Sequence, residues 1–222
     1  MMNLSEVMEN IQIPAEKRYV SVRWEEGEFI HQWVKDHQLS RTLEIGFGYG
    51  LSAASIMSAH EGMHTCMDPF QERYDNWGLR NIETLGYRER FIFHPDFSHN
   101  VLPKLLSEKH TYDFVFIDGD HHFDGIFIDF YYVDLLLENG GYVLFHDAWM
   151  RGTQLVASFV KRNRKNYKLL RSPLRNLILF QKTARDDRPW HHFREFYTWK
   201  SFFSHKVIVY MIDRGILQRF LK

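Results

Sequence analysis

Runs of apolar residues with two different periods follow one another along this chain, and they predict helices and strands in alternation. Trp24 to His37 places Phe29, Ile30, Trp33 and Val34 at helical spacing and predicts a leading helix. Short apolar runs then predict strands at Thr42–Ile45, His64–Met67, Phe91–His94, Tyr112–Ile117 and Tyr142–Phe145. Between them, Ser52–Ala59, Trp77–Gly86, a segment beginning near Asn100 and Ile126–Leu137 read as helices, the last ended by Asn139-Gly140-Gly141. Tyr112–Ile117 is a continuous apolar run, the pattern of a strand covered on both faces. A Gln154–Lys161 helix follows, then strands near Tyr167–Leu170 and at Leu177–Gln181 around a Ser172-Pro173 turn, which read as a hairpin. Strands alternating with helices predict βαβ units and a parallel sheet, an α/β fold.

One junction in this pattern carries chemistry. Thr42–Ile45 runs into Gly46-Phe47-Gly48-Tyr49-Gly50 and straight on into the alanine-bearing segment Leu51–Met57. Glycine is needed where the backbone takes positive φ or comes close to a ligand. A helix start just beyond offers unpaired N–H groups to that ligand. This is the layout of a nucleotide-type loop at the C-terminal edge of a parallel sheet. A dinucleotide fingerprint, G-x-G-x-x-G/A, begun at Gly46 puts the bulky Leu51 at its third small position, and it fits only when shifted to Gly48. Asp68, at the end of the second strand, lies where a carboxylate can accept both hydroxyls of a ribose. That supports a nucleoside ligand without choosing among them.

The chain has 222 residues, enough for one domain with or without an appendage. It is 45% hydrophobic and 25% charged, as soluble globular proteins are. The single cysteine, Cys66, excludes an internal disulfide and a cysteine-built zinc site. No apolar run approaches the ~20 residues that span a bilayer, and no basic-then-apolar signal pattern opens the chain, so a cytoplasmic location is expected. Net charge is zero but unevenly spread. Residues 1–149 carry 11 Lys and Arg against 24 Asp and Glu, residues 150–183 nine against none, and residues 184–222 eight against four. Lys161, Arg162, Arg164, Lys165 and Lys168 suit a solvated helix end, or contact with an anionic substrate, lipid head group or RNA. No RNA-reading motif accompanies them, and a nucleic-acid partner is not expected.

Unshifted, the loop reads Glu44-x-Gly46-x-Gly48-x-Gly50. Here the chain resembles the class I S-adenosylmethionine (SAM)-dependent methyltransferases, whose first motif is an acid followed by three alternating glycines. The likeness runs from the leading helix to the neighbourhood of Lys182. It implies a Rossmann-like seven-stranded sheet, mostly parallel with an antiparallel last strand, helices on both faces, and SAM as cofactor. By the resemblance, Glu44 steadies the turn and holds the cationic methionine end of SAM. Gly46, Phe47, Gly48 and Gly50 form the cofactor loop, Asp68 meets the ribose and Asp96 the adenine amino group, with Phe97 and Asp118 also among the cofactor-binding residues. The rival role of Asp96 is an N-terminal helix cap.

Two further motifs extend the likeness. Asp118-Gly119-Asp120-His121 after strand four and Gly140-Gly141 with His146-Asp147 on strand five resemble a small-molecule methyltransferase subfamily. Asp118, His146 and Asp147 should meet at the sheet edge, where carboxylate and imidazole ligands could hold Mg²⁺ or Mn²⁺. Metal-dependent O-methyltransferases of the catechol type carry Asp at both strand ends and follow the second with Asn, where this chain has Ala148. His146 either replaces the missing ligand or orients Asp147. Methyl transfer to a hydroxyl needs the oxygen to lose its proton, which favours a base titrating near neutral pH. His121 stands where the catechol-type enzymes carry their basic catalytic residue and is the expected base, with His122 as its rival and Asp118 beside them. The expected function is methyl transfer from SAM to a small-molecule acceptor, at a hydroxyl oxygen.

Residues 1–183 are expected to form the methyltransferase domain and 184–222 a C-terminal aromatic and basic helical extension. Trp190, Phe193, Phe196, Tyr197, Phe203, Val207, Tyr210 and Met211 suggest an apolar helical face. That face packs on the domain or joins a second subunit as a homodimer; a lid over the site and a membrane-surface contact are its other uses. Two other functions compete. Asp118-Gly119-Asp120 is also the Asp-x-Asp motif of nucleotide-sugar glycosyltransferases, a reading that leaves the glycine loop and Asp68 unexplained. A non-catalytic methyltransferase-like partner subunit would keep the loop without turnover.

Overall fold

The structure, a computed structural model, describes residues 4–196 together with residues 206, 207, 210, 211 and 214. In chain order these form α1 (Leu4–Asn10), α2 (Trp24–Asp36), β1 (Thr42–Ile45), α3 (Leu51–Met57), β2 (His64–Met67), α4 (Trp77–Thr84) and β3 (Phe91–His94). There follow α5 (Ser98–Ser107), β4 (Tyr112–Ile117), α6 (Phe123–Leu136), β5 (Leu137–Phe145), α7 (Arg151–Asn163), β6 (Tyr167–Leu170) and β7 (Ile178–Lys182). The strands make one seven-stranded sheet in the order β3-β2-β1-β4-β5-β7-β6. β1 to β5 run parallel, and β7 inserts antiparallel between β5 and β6. The Rossmann-like α/β sheet expected from the sequence is therefore present, its last strand reversed by the hairpin around Ser172-Pro173.

Side chains of successive strand residues point to opposite faces, so the sheet builds two cores. Phe114 and Phe116 of β4 face one way, among Ile30 and Val34 of α2 and Ala53, Ile56 and Met57 of α3. Val115 and Ile117 face the other, among Leu102 of α5, Phe130 and Val133 of α6 and Val156 and Val160 of α7. This two-sided cover is why β4 is apolar at almost every position.

Three differences from the sequence expectation are the most informative. α1 has one buried residue, Val7, too little apolar signal to mark a helix. α5 begins at Ser98, ahead of the expected Asn100. β5 starts at Leu137 and carries Asn139-Gly140-Gly141 within it, with a register shift against Tyr112 and Phe114. Gly140 takes φ +93°, so the expected helix stop serves as an irregularity inside a strand.

The start of the extension docks on the end of α7. Asn163 Nδ2 donates to Arg194 O at 2.9 Å, and Arg194 N–H donates to Asn163 Oδ1 at 2.7 Å. Arg164, within the basic segment, is buried against Asp134 and Asp186, so part of that charge is structural. Most of the apolar face expected from Tyr197 onward, with the homodimer contact drawn from it, lies outside the described residues. Among the described residues no helix is long and apolar enough to cross a membrane.

Beneath α3 lies a sealed polar chain. Thr42 Oγ1 meets His64 Nδ1 at 2.8 Å and His60 Nε2 at 3.1 Å, while Gly62 N–H donates to His60 Nδ1 at 2.9 Å. Burial, with the neighbouring His64 and Arg90 charges, lowers the His60 pKa to about 3. The folded state thus keeps His60 neutral where the unfolded chain, near 6.5, takes up a proton. Its contribution is complete above pH 6.5 and falls by about 1.4 kcal/mol per pH unit as pH drops from 6.5 toward 3. His60→Gln keeps a donor and an acceptor but does not titrate. Urea melts at pH 7, 6 and 5 should show the unfolding free energy of wild type falling relative to the variant by that slope. A pH-independent difference would show that His60 is protonated in the fold.

Candidate functional site

The backbone ladder runs one step past the ends of four strands. Gly46 N–H donates to Met67 O, Asp68 N–H to His94 O, Asp118 N–H to Ile45 O and His146 N–H to Ile117 O. Gly46, Asp68, Asp118 and His146 are thereby set in a row at the C-terminal edge of the sheet. Over this edge opens a cavity of about 1620 Å³. Pockets for drug-sized ligands measure roughly 300–1,000 Å³, so there is room for a nucleoside cofactor and a second small molecule.

Gly46, Gly48 and Gly50 all take positive φ (+88°, +51° and +79°). Asp68 holds the loop they form. Its Oδ2 accepts from Phe47 N–H and Gly48 N–H, both at 3.0 Å, and its Oδ1 accepts from Phe70 N–H at 2.7 Å. Gly46, Phe47, Gly48 and Asp68 line the cavity, whereas Gly50 sits behind it as the residue before α3.

Two of the acids expected at the cofactor lie elsewhere. Glu44 is fully buried, accepts a hydrogen bond from the Ser52 hydroxyl and lies 3.0 Å from His64 Nε2. Burial pushes its carboxyl well above the usual carboxylate range. It does not line the cavity, so it ties α3 and β2 together under the turn rather than reaching the methionine end of a cofactor. Asp96 also lies off the cavity and takes its rival role. Its Oδ1 accepts from Phe97 N–H at 2.7 Å and Asn100 Nδ2 at 2.8 Å, at the start of α5. Phe97 does line the cavity.

Between β4 and β5 the edge is strongly charged. His121 Nε2 lies 3.1 Å from Asp147 Oδ2 and 3.6 Å from Asp118 Oδ1. The two carboxylates, Asp118 first, raise the His121 pKa to about 10. Between the two acids this imidazole favours its charged form, above the near-neutral range expected of a base. His146 is not the third member of this group. Its Nδ1 meets Asp118 Oδ1 at 3.0 Å and its Nε2 meets Glu26 Oε2 at 3.1 Å. Burial pulls the His146 pKa down, but the acids outweigh it and hold it at about 10. Asp147 is held below the carboxylate range by His121 and His146 in spite of its burial. His122 is exposed and turned to Asp120, 2.6 Å from its Oδ1.

Donor atoms of Asp118, His121 and Asp147 all lie within 4.8 Å of one another and border the cavity. Two carboxylates and an imidazole suit a hard or borderline divalent cation. The residues fit such an ion, with His121 standing where His146 was expected. A second group, Glu44, His64 and Cys66, is equally close but wholly buried, and its acid favours the protonated form.

Two residues of this site had no functional signal in the sequence. Glu26 of α2 is 2% exposed and bonds His146, Arg23 N–H and Asn176 at once. Its only mark was its place three residues after Arg23, where a capping glutamate belongs. Asn176, between β6 and β7, donates to Glu26 Oε1 at 3.1 Å. Nothing local singles it out.

Residues 43–148 match a family model described as a methyltransferase domain. The chain is 34% identical over 101 residues to caffeoyl-CoA O-methyltransferase 5 of Nicotiana tabacum, covering 43% of this chain and 42% of that protein. It is 32% identical over 101 residues to caffeoyl-CoA O-methyltransferase 1 of Arabidopsis thaliana, covering 43% and 39%. The matches thus span less than half the length of these relatives. Among solved structures, the O-methyltransferase of Bacillus cereus in complex with SAH is similar with a TM-score of 0.66 at 18% identity, over 81% of this chain and 90% of that one. A putative caffeoyl-CoA O-methyltransferase of Staphylococcus aureus is similar with a TM-score of 0.68 at 15% identity, over 83% and 93%. At these identities the structures speak for the fold. Residues 43–148 thus match a methyltransferase domain, and the seven-stranded sheet has the fold of these solved O-methyltransferases.

Proposed function

We propose that this protein is a SAM-dependent O-methyltransferase acting on a small-molecule hydroxyl. One observation carries the reading: a single cavity is walled on one side by the glycine turn with Asp68 and on another by Asp118, His121 and Asp147. The first wall suits a nucleoside, and the carboxylates suit a ligand that bears sulfonium and ammonium charge. The second wall handles charge at the oxygen that attacks. O-methyltransferase relatives support the same chemistry.

In this reading the turn and Asp68 position the cofactor, and the acceptor enters past the remaining walls. Tyr19, Trp149 and Met150 stand there with Arg18, Arg23 and Arg175, a lining that suits an apolar or aromatic body with an anionic group. Holding donor and acceptor in line supplies much of the rate by itself. As the hydroxyl oxygen takes the methyl group it gives up its proton to the Asp118–His121–Asp147 group, in which the two carboxylates fix the His121 ring. A divalent cation held by Asp118, His121 and Asp147 would displace the His121 proton and supply Lewis-acid polarisation of that oxygen. Glu26 and His146 keep Asp118 in place from behind. The division at 183/184 and a cytoplasmic setting belong to the same reading, supported by a sheet that ends at Lys182 and by one buried, unpaired cysteine.

Calorimetric titration with SAM, S-adenosylhomocysteine and NADH tests this. Heat with both sulfur ligands and none with NADH is expected, followed by turnover in a screen of hydroxyl acceptors with Mg²⁺. Tight NADH binding, or no heat with either sulfur ligand, overturns the reading.

A further inference from the structure

The surface at the far end of α7 has no part in the site above. Met150, the residue before α7, borders the cavity. From there the helix runs for 13 residues, ~20 Å, to Asn163. Lys161, Arg162, Lys165 and Lys168 lie at that end and are all exposed. Arg164 between them is paired with Asp134 and Asp186. Among the described residues none of the four exposed cations forms an ion pair.

The chain returns to this end after β7 and adds aromatic rings to it. Arg162 Nε donates to Glu195 O at 3.2 Å, and Phe196 packs edge to face on Phe159, with ring centroids 5.4 Å apart. With the Asn163–Arg194 bonds and Arg188 over the Phe159 ring, these contacts hold residues 188–196 against the last turns of α7. Within that stretch Trp190 is 96% exposed and Phe193 63%. Single apolar residues are ordinary on a surface. What marks this surface is that two large rings stand together among unpaired cations.

Whatever covers it has to match both features. Residues 197–222 continue the same mixture in the sequence, with five Lys and Arg against one Asp, and with Trp199, Phe202, Phe203, Ile216 and Phe220 among them. Val207 and Tyr210 there are exposed. The longest apolar run, residues 207–212, has six residues, far short of the ~20 that span a bilayer. Basic residues interleaved with aromatic and aliphatic ones, without a spanning run, are the composition of a segment that lies in a lipid–water interface. RNA has use for the charge and the rings but not for the aliphatic residues. A second copy meeting this end with its own would set cations against cations.

We propose that this end of the molecule is a docking surface for an anionic lipid bilayer. Trp190 and Phe193 enter the headgroup layer, and Lys161, Lys165 and Lys168 meet the acidic headgroups. The protein lies on the bilayer by this end and does not span it. The cavity opens at the other end of α7, so docking leaves it clear and is independent of what it binds.

The test uses the full chain and vesicles of phosphatidylcholine alone or with about a third phosphatidylserine. Wild type should sediment with the anionic vesicles about tenfold more tightly than with the neutral ones, and the difference should shrink as added salt screens the surface charge. Lys161→Glu with Lys165→Glu should weaken binding to the anionic vesicles by more than about tenfold. Trp190→Ser with Phe193→Ser should weaken it by about tenfold at unchanged net charge. All four side chains are exposed, so thermal melts of both variants should overlay wild type and separate lost docking from lost folding. Wild type that stays in solution beside anionic vesicles overturns the proposal. So does equal binding to both compositions, or wild-type binding in either variant. Retention of single-stranded RNA without vesicle binding would assign the surface to nucleic acid instead.

Discussion

Asp147→Asn is expected to slow methyl transfer by about 10²- to 10⁴-fold, the usual range for losing a group that handles charge at the reacting oxygen, while SAM binding survives. Asp147 is the residue through which β5 joins the charged edge. It lies 3.1 Å from His121 Nε2 and accepts from Trp149 Nε1 at 3.1 Å. The choice of asparagine follows from the backbone, since Asp147 sits at φ +51°, a conformation that Asn and Asp tolerate and alanine resists. Asp147→Asn keeps the turn and the Trp149 contact and removes the negative charge alone. In the proposed function the cofactor is held mainly from the ends of β1 and β2, which the substitution does not touch. Initial rates with and without chelator, beside a SAM titration, read the two effects separately. A variant that turns over at the wild-type rate in excess chelator would show that the acids of β4 and β5 serve the fold, not the reaction.

The parts of this site legible in the sequence are those fixed by local constraint. At the β1–α3 junction an apolar strand, alternating glycines at positive φ and the small, fully buried Ala53 and Ala54 all require the same turn. The Asp118 and His146-Asp147 strand ends were legible as neighbours because β4 and β5 pair in parallel. What could not be read was that His146, with its Nδ1 on Asp118, turns its second nitrogen away from these acids. His146 turns to Glu26, 120 residues earlier in the chain, and only the packing of α2 on the sheet decides that. Glu44 misled for a related reason. An acid before a glycine turn looks available to a ligand, yet its strand position points it under α3, onto Ser52 and His64.

Gly46→Ala is expected to destabilise the fold by about 3–5 kcal/mol, the range in which a single substitution removes much of a domain's stability. A Cβ at this position would stand 2.0 Å from Asp118 O and 2.6 Å from Asp118 C, in a residue already at φ +88°. Both groups in the overlap are backbone at the ends of β1 and β4, so no side-chain rotation relieves it. The strands must part, and with them the row that carries Gly46, Asp68 and Asp118. Gly48→Ala provides the contrast. Its φ is +51°, but nothing lies within 4 Å of the added carbon, so it should cost only the positive-φ strain of about 1–2 kcal/mol. Gly48 borders the cavity, and its larger variant Gly48→Arg should fill the cofactor's space and abolish SAM binding while the chain still folds. Thermal melts and SAM titrations of the three variants separate the two roles. If Gly46→Ala melts with wild type, the close approach of β1 to β4 is not needed. If Gly48→Arg binds SAM as wild type does, the turn does not face the cofactor.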